Sequence, residues 1–331
     1  MSSILQKKND STLIAGVGSA LVDILLQESD EFLTSTGAEK GGMLLVDYEK
    51  IESILAQSGY EPSHVPGGSA CNTIIGVGNL GKNARFVGKR GNDELGETFE
   101  NALKTHNVEP ILDRSDTPTG RVLSIITPDA QRSMFTFLGA ASETTPKEIT
   151  AEKFKDAALV HIEGYLLFNE DLIFAALNAA KEAGALISLD LASYTVVEAS
   201  KQILMDIVKD YVDILLANED EARAFTGFSD EAQSLKILAE NTQIAVLKVG
   251  KRGSFISCDG TTYPVGIQGS GEAVDTTGAG DLWASGFLYG LVNGLSIEKC
   301  GQLGAACGYE VCQVIGAHIP DDGWKRIKNV L

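Results

Sequence analysis

Short runs of apolar, largely β-branched residues alternate with longer amphipathic stretches along most of the chain. The runs at 13–17, 85–87, 159–162, 185–189, 214–216 and 245–249 are apolar at nearly every position. That is the pattern of strands covered on both faces. Between them, 172–182, 200–210 and 231–240 carry helical spacing. The alternation predicts an α/β fold of three layers, a mainly parallel central sheet between helices.

Two regions break the rhythm. Residues 23–65 contain apolar pieces separated by polar and glycine-rich joints, Thr36-Gly37 and Lys40-Gly41-Gly42. Residues 113–138 contain strand-like runs at 121–127 and 133–138, joined by Pro128-Asp129-Ala130-Gln131. That joint is rich in turn formers, so the pair reads as a β-hairpin outside the parallel sheet. The two insertions predict a small β-lid from about 23–65 and 113–140. With no internal repeat and no low-complexity linker, the expectation is a single domain, 1–331, carrying that lid.

Composition narrows the function classes. An apolar content of 44% with 22% charged residues is that of a globular chain. No apolar run is long enough to span a bilayer, and the polar start, Met1 to Ser11, does not read as a signal peptide. Five cysteines, with no Cys-x-x-Cys pair, argue against a disulfide framework or structural zinc and for the cytoplasm. A net charge of −18 argues against nucleic-acid binding, because phosphate backbones are repelled. A small phosphate-bearing ligand remains compatible with that charge, since backbone amides can bind one locally.

The segment Asp275-Thr276-Thr277-Gly278-Ala279-Gly280-Asp281 is the richest in chemistry. It follows a glycine-rich stretch, 266–271, and leads into the apolar run 282–292, suited to a buried helix. Small residues at 278–280 let the backbone approach a ligand, and a helix start offers unpaired N–H groups and a positive dipole end. Such a site stabilises a phosphoryl group in transfer. Asp281 stands at its edge, where it could accept the proton of an attacking hydroxyl. On this segment alone, a glycine-rich helix entry with Asp281 as a plain cap is an equal alternative.

The segment also resembles the C-terminal signature of the ribokinase-like (PfkB) carbohydrate kinases, and other landmarks of that family follow in order. Gly67-Gly68-Ser69-Ala70-Cys71-Asn72 is similar to its Gly-Gly-x-x-x-Asn element, which implies sugar-hydroxyl binding by Gly67, Gly68 and Asn72. The run from Gly88 to Gly96 resembles the family's Gly-x-x-Gly-x-Asp-x-x-Gly segment. Asn218-Glu219-Asp220-Glu221 resembles Asn-x-x-Glu, implying that Asn218 and Glu221 organise Mg²⁺ and phosphate through water. Gly250 resembles the nucleotide-site glycine, although Lys248 stands where the family usually has Thr.

The resemblance implies a kinase that uses ATP and Mg²⁺. Asp281 would be the base, the amides of Gly278, Ala279 and Gly280 the anion site, and Thr277 a nucleotide contact. Asp23, with Ser19 beside it, falls where relatives grip two substrate hydroxyls, and Arg132 where an arginine reaches the transferred phosphate. Relatives often hold a monovalent cation such as K⁺ beside the anion site, and Asp275 and Thr277 are the residues that could contribute. Leu138-Gly139-Ala140-Ala141-Ser142 looks closest to the adenosine-kinase-like branch, so adenosine is the first acceptor expected. Ser19, where adenosine kinases typically carry Asn, keeps ribose and fructose open. A non-catalytic binding relative is the rival class, and a lid edge could pair across a homodimer.

Several patterns are near misses. Gly76-Val77-Gly78-Asn79-Leu80-Gly81-Lys82-Asn83 ends like a P-loop, but Asn83 lacks the hydroxyl that meets Mg²⁺, and Gly81 reads as a helix stop. Gly16-Val17-Gly18-Ser19-Ala20-Leu21 begins like a dinucleotide fingerprint, but Leu21 is too bulky at its third position. His64, His106, His161 and His318 show no metal-ligand spacing and read as structural, with His318 nearest the expected nucleotide pocket. Trp283 and Phe287, four apart, read as core packing.

Overall fold

A computed structural model describes residues 11–81, 83–129 and 131–331. The N-terminal segment 1–10, Lys82 of the P-loop-like run and Ala130 of the lid turn lie outside the described residues.

The strands, in chain order, begin with β1 (Leu13–Val17), β2 (Leu21–Gln27), β3 (Met43–Leu45), β4 (Ser63–Gly67), β5 (Ala84–Gly91), β6 (Val108–Ser115) and β7 (Gly120–Ile126). They continue with β8 (Arg132–Phe137), β9 (Ala157–Glu163), β10 (Leu186–Asp190), β11 (Ile214–Asn218), β12 (Ile244–Lys248), β13 (Ser254–Cys258) and β14 (Thr261–Val265). The α-helices begin with α1 (Asp30–Thr36), α2 (Tyr48–Gln57), α3 (Ser69–Asn79), α4 (Glu94–Thr105), α5 (Glu170–Glu182) and α6 (Tyr194–Ala199). They continue with α7 (Lys201–Tyr211), α8 (Glu219–Thr226), α9 (Glu231–Leu238), α10 (Ala279–Val292), α11 (Ile297–Val311) and α12 (Asp321–Lys328). Among the described residues, no helix is long and apolar enough to cross a membrane.

Nine strands form the main sheet in the order β14-β13-β12-β11-β10-β9-β1-β5-β6. Every neighbouring pair from β6 to β12 is parallel, and β13 and β14 close the far edge antiparallel. The continuous apolar runs follow from the coverage. In β1, Leu13, Ala15 and Val17 face a core built with α5, α7 and α9, while Ile14 faces the opposite core with α3 and α10. Strand order reverses about β1, which pairs with β5 on one side and β9 on the other. Ligands of open α/β sheets bind at the carboxyl ends of strands at such a switch point.

A second sheet, β3-β8-β7-β2-β4, stands apart from the first. Within it β7 and β8 form the antiparallel hairpin, and β2 joins β7 in parallel. Ile24, Leu26, Leu123, Ile125 and Phe135 pack its inner face against Leu33 of α1 and Ile51 and Ile54 of α2.

One boundary moves. Residues 113–115 were expected in the lid, but β6 pairs along its whole length with β5 as the edge of the main sheet. It is a half-exposed edge whose apolar pattern is interrupted by Glu109, Asp113 and Arg114, so periodicity alone does not mark it. Strand β3 is one edge of the second sheet, with all three of its side chains exposed.

Candidate active site

Helix α10 starts where it does because Gly278 takes a left-handed backbone (φ 71°) as its N-cap. A Cβ there would lie 2.6 Å from Ala317 Cβ, so any side chain would collide as well as strain. No side chain caps this end; the Ala279 N–H turns back to the Thr276 carbonyl at 3.1 Å, and those of Gly280 and Asp281 have no partner within the helix. Asp281 is the third residue of the helix, so the plain-cap alternative does not hold. Its Oδ1 accepts from Ser69 Oγ at 2.8 Å and its Oδ2 from Asn72 Nδ2 at 2.9 Å. Thr73 Oγ1 donates to the Asp281 carbonyl at 3.1 Å. Ser69, Asn72 and Thr73 share one face of α3, three and four residues apart, which is how one helix turn supplies all three donors. Burial pushes the Asp281 carboxyl up to about 6; Asp190 adds to the rise, while Asn72, Ser69 and Lys248 oppose it. It is therefore mostly ionised at neutral pH yet able to hold a proton, as a general base must be.

Asp23 lies in β2, paired with Val65 of β4 on one side and Val122 of β7 on the other. It is 8% exposed, and none of the described residues donates a hydrogen bond to its side chain. Burial pushes this carboxyl up to about 6, with Arg132 opposing and Asp281 reinforcing the rise. Gly67 makes room for it: a Cβ at that position would lie 2.5 Å from Asp23 Cγ. Gly68 is the N-cap of α3, two residues before Ala70.

The loop holding Ser19 and the start of α3 are tied together by a group the sequence reading did not select. Glu163, at the carboxyl end of β9, accepts from the Ser19 N–H at 2.8 Å and the Ala70 N–H at 3.0 Å. It is fully buried, and burial pushes it up to about 7 against the pull of those two N–H groups. The sequence carries a trace of it: a carboxylate ending a strand whose other residues, His161 apart, are apolar.

Arg132 opens β8 and reaches out of the lid. Nη1 donates to Thr277 Oγ1 and, at 3.3 Å, to Asp275 Oδ2, while Nη2 donates to Ser124 Oγ at 2.7 Å. Its buried Nε has no partner among the described residues. Asp275 Oδ1 accepts from the Thr277 N–H and hydroxyl at 3.0 and 2.8 Å, and Oδ2 from the Gly316 N–H at 2.8 Å. Burial alone would raise its carboxyl, but Gly316, Thr277 and Arg132 hold it below the usual range. Both oxygens are thus committed, and Asp275 acts as the tether between the lid hairpin, the loop before α10 and the segment at Gly316.

The carboxyl ends of β10, β11 and β12 complete the cleft. Asn218 caps α8 in a reciprocal capping box: Asn218 Oδ1 accepts from the Glu221 N–H at 2.9 Å, while Glu221 accepts from the Asn218 N–H at 2.8 Å and its Nδ2 at 2.6 Å. Glu221 is buried, and burial pushes it up to about 7, with Asp190 adding and Lys248 opposing. Lys248, at the end of β12, donates to Asp190 Oδ2 at 2.8 Å. Gly250 follows at φ 56°, on the side of Glu219. Among the described residues, no three His, Cys, Asp or Glu side chains are grouped to hold a metal ion. Magnesium does not need such a cage, since it keeps much of its water and binds nucleotide phosphates.

The remaining candidates fall outside the cleft. His161 is buried in β9 with Nδ1 3.2 Å from Ser188 Oγ, and His318 lies edge-on to His106 at 5.3 Å. Trp283 and Phe287 stack at 5.0 Å inside the core. Gly76 and Gly78 lie within α3, not before it, and Gly81 follows its end at φ 95°.

Comparison with known proteins converges on the same chemistry. Residues 20–322 match the family described as pfkB family carbohydrate kinase. A probable sugar kinase from Rhizobium etli superposes with a TM-score of 0.87 at 33% identity, covering 96% of this chain and 98% of that one. The adenosine kinase of Sinorhizobium meliloti gives 0.86 at 30% identity, covering 96% and 99%. A 5-dehydro-2-deoxygluconokinase from Geobacillus thermodenitrificans is 27% identical over 286 residues, 80% of this chain and 82% of that protein.

Proposed function

The chain belongs to the pfkB family of carbohydrate kinases and is a sugar or nucleoside kinase, and we propose that it transfers the γ-phosphoryl group of Mg-ATP to a primary hydroxyl of a ribonucleoside, with adenosine the first acceptor to test. The observation that carries this reading is Asp281. Its carboxylate is fixed by Ser69 and Asn72 in the first turn of a helix that no side chain caps.

In this reading Asp23, unpartnered and buried, accepts hydrogen bonds from the acceptor's hydroxyls, flanked by Ser19, Gly67, Gly68 and Asn72. Asp281 takes the proton of the attacking hydroxyl. The N–H groups of Gly278, Gly280 and Asp281 meet the charge on the group in transfer, the Ala279 N–H being held by the Thr276 carbonyl at 3.1 Å, and Arg132 adds a cation from the lid. Asn218, Gly250 and Thr277 are assigned to the nucleotide side, and Glu221, whose oxygens accept from Asn218, to the water shell of Mg²⁺. The metal's contribution is to neutralise the phosphate oxygens. No step is assigned to K⁺, because both oxygens of Asp275 are already occupied. A lid held by Arg132 against Asp275 and Thr277 would exclude water from the transfer.

A second reading, a free sugar such as ribose or fructose as acceptor, rests on Ser19 in place of the asparagine typical of adenosine kinases. A non-catalytic role is disfavoured because the Asp281, Asn218 and Glu221 machinery is intact. Five cysteines, an odd number with no Cys-x-x-Cys pair, support a reducing cytoplasm. A homodimer paired along the exposed lid edge Met43–Leu45 is the assembly to test by sedimentation. The deciding experiment measures ADP release from Mg-ATP with adenosine, other nucleosides, ribose, fructose and phosphorylated fructose, using Asp281→Asn as the blank. Turnover with adenosine well above the rest, absent in the blank, supports the first reading. Preference for a free sugar supports the second, and no turnover with any acceptor refutes both.

A further inference from the structure

We infer that Lys248 binds the phosphoryl group in transfer, as the cation of the anion site at the start of α10, and that Asp190 is the positioning residue that aims it. This deepens the kinase reading above and rests on it. The geometry is direct: a Cβ built on Gly280 would lie 3.0 Å from Lys248 Nζ, so the ammonium stands against the first turn of α10. It reaches this place from the carboxyl end of β12, across the mouth of β10 and β11.

The donor inventory supports the assignment. An ammonium carries three N–H donors. Among the described residues only Asp190 Oδ2 accepts one, at 2.8 Å. Arg132 is more committed, since both N–H groups of its Nη1 go to Thr277 and Asp275 and one of its Nη2 goes to Ser124, which leaves one Nη2 N–H and Nε. Lys248 brings two further donors to the anion site, directly against the first turn of α10. Asp190 is in turn held by the Ala192 N–H on its other oxygen at 3.0 Å, next to a backbone in the left-handed region (Ala192, φ 63°). The pair is little exposed, 13% for Lys248 and 6% for Asp190. Burial pulls the Lys248 ammonium toward neutrality, but Asp190, Glu221 and Asp281 outweigh it and hold it charged. A rigid, charged donor in a half-dry cleft is what phosphoryl transfer requires of the protein. The hydroxyl that the family usually offers at this position would give one neutral contact; the ammonium gives charge-assisted ones.

The test separates a phosphate ligand from a buried structural ion pair. Wild type, Lys248→Met, Lys248→Arg and Asp190→Asn are titrated calorimetrically with Mg-ADP and with Mg-β,γ-methylene-ATP, and turnover is measured on the best acceptor. Lys248→Met is expected to lose about 10- to 100-fold of affinity for the ATP analogue, the range of a charge-assisted hydrogen bond, and little for ADP. Its kcat should fall with the acceptor KM unchanged, Lys248→Arg should recover part of both, and Asp190→Asn should shift both in the Lys248→Met direction. Equal losses for the two nucleotides, or none, would overturn the assignment, and Lys248→Arg supplies the comparison if the methionine variant fails to fold. A wild-type protein that binds both nucleotides but turns over no acceptor would overturn the kinase reading alone, because the two affinities still decide the case of Lys248.

Discussion

Replacing Asp281 by Asn should make the protein both slower and more stable, and the two effects have separate structural origins. The amide keeps the shape of the carboxylate and both contacts: its nitrogen can donate to Ser69 Oγ while its oxygen accepts from Asn72 Nδ2. What disappears is the base of the proposed mechanism, and general-base removal costs roughly 10²- to 10⁴-fold in turnover. What also disappears is a largely desolvated, half-buried charge. The folded-state carboxyl sits at about 6 against an ordinary 3.8, so the folded protein binds more protons than the unfolded chain between those values. Folding therefore bears a penalty that is absent below pH 3.8, grows through the window and is complete above about 6. Two pK units correspond to roughly 3 kcal/mol. With an unfolding entropy of about 2.1 cal/mol/K per residue, that is a rise in Tm of roughly 4 °C at pH 8. Calorimetry at pH 8 and 4.5 should show the gap between variant and wild type shrinking to about a third at the lower pH. Near-normal turnover in Asp281→Asn would refute its role as base. A Tm gap that is absent, or equal at both pH values, would refute the argument from burial.

Three further outcomes follow from the same cleft. Asp23→Ala should raise the acceptor KM by about 10- to 100-fold, the cost of losing hydrogen bonds to a charged group, with Mg-ATP affinity unchanged by calorimetry; unchanged acceptor affinity would misplace the pocket. Gly67→Ala should do the same in milder form without unfolding the protein, since its Cβ would press 2.5 Å from Asp23 Cγ, and steady-state kinetics with circular dichroism would show whether it does. The acid limb of kcat/KM should fall near pH 6, where the Asp281 carboxyl titrates. Because Asn72 donates to the ionised form, Asn72→Ala should move that limb to higher pH, and a limb that stays or moves down would contradict the assignment.

Much of the architecture was legible before any coordinates, because strand burial leaves a local trace. A parallel strand covered on both faces must be apolar at most consecutive positions, and 13–17 and 214–216 are throughout, while 159–162 is broken only by the buried His161. The loop into α10 was legible for a similar reason: a helix start without a side-chain cap needs a residue that tolerates positive φ, and Gly278 supplies it within one short motif. Edge strands leave a weaker trace. Half-exposed β6 and the three-residue β3 carry no period long enough to read.

Sequence by itself thus determined most of the elements, the uncapped start of α10 and the acidic residue in its first turn, since each depends on residues adjacent along the chain. Tertiary structure alone decided which distant residues meet there. Ser69 and Asn72 reach Asp281 across more than two hundred residues, Glu163 ties Ser19 to Ala70, and Lys248 finds Asp190. Strand order made those meetings: β9, β10, β11 and β12 end side by side on the same edge of one sheet, and no local pattern encodes that order. The elevated carboxyls of Asp23, Glu163 and Asp281 have the same origin, because desolvation is a property of the assembled cleft and not of any segment that lines it.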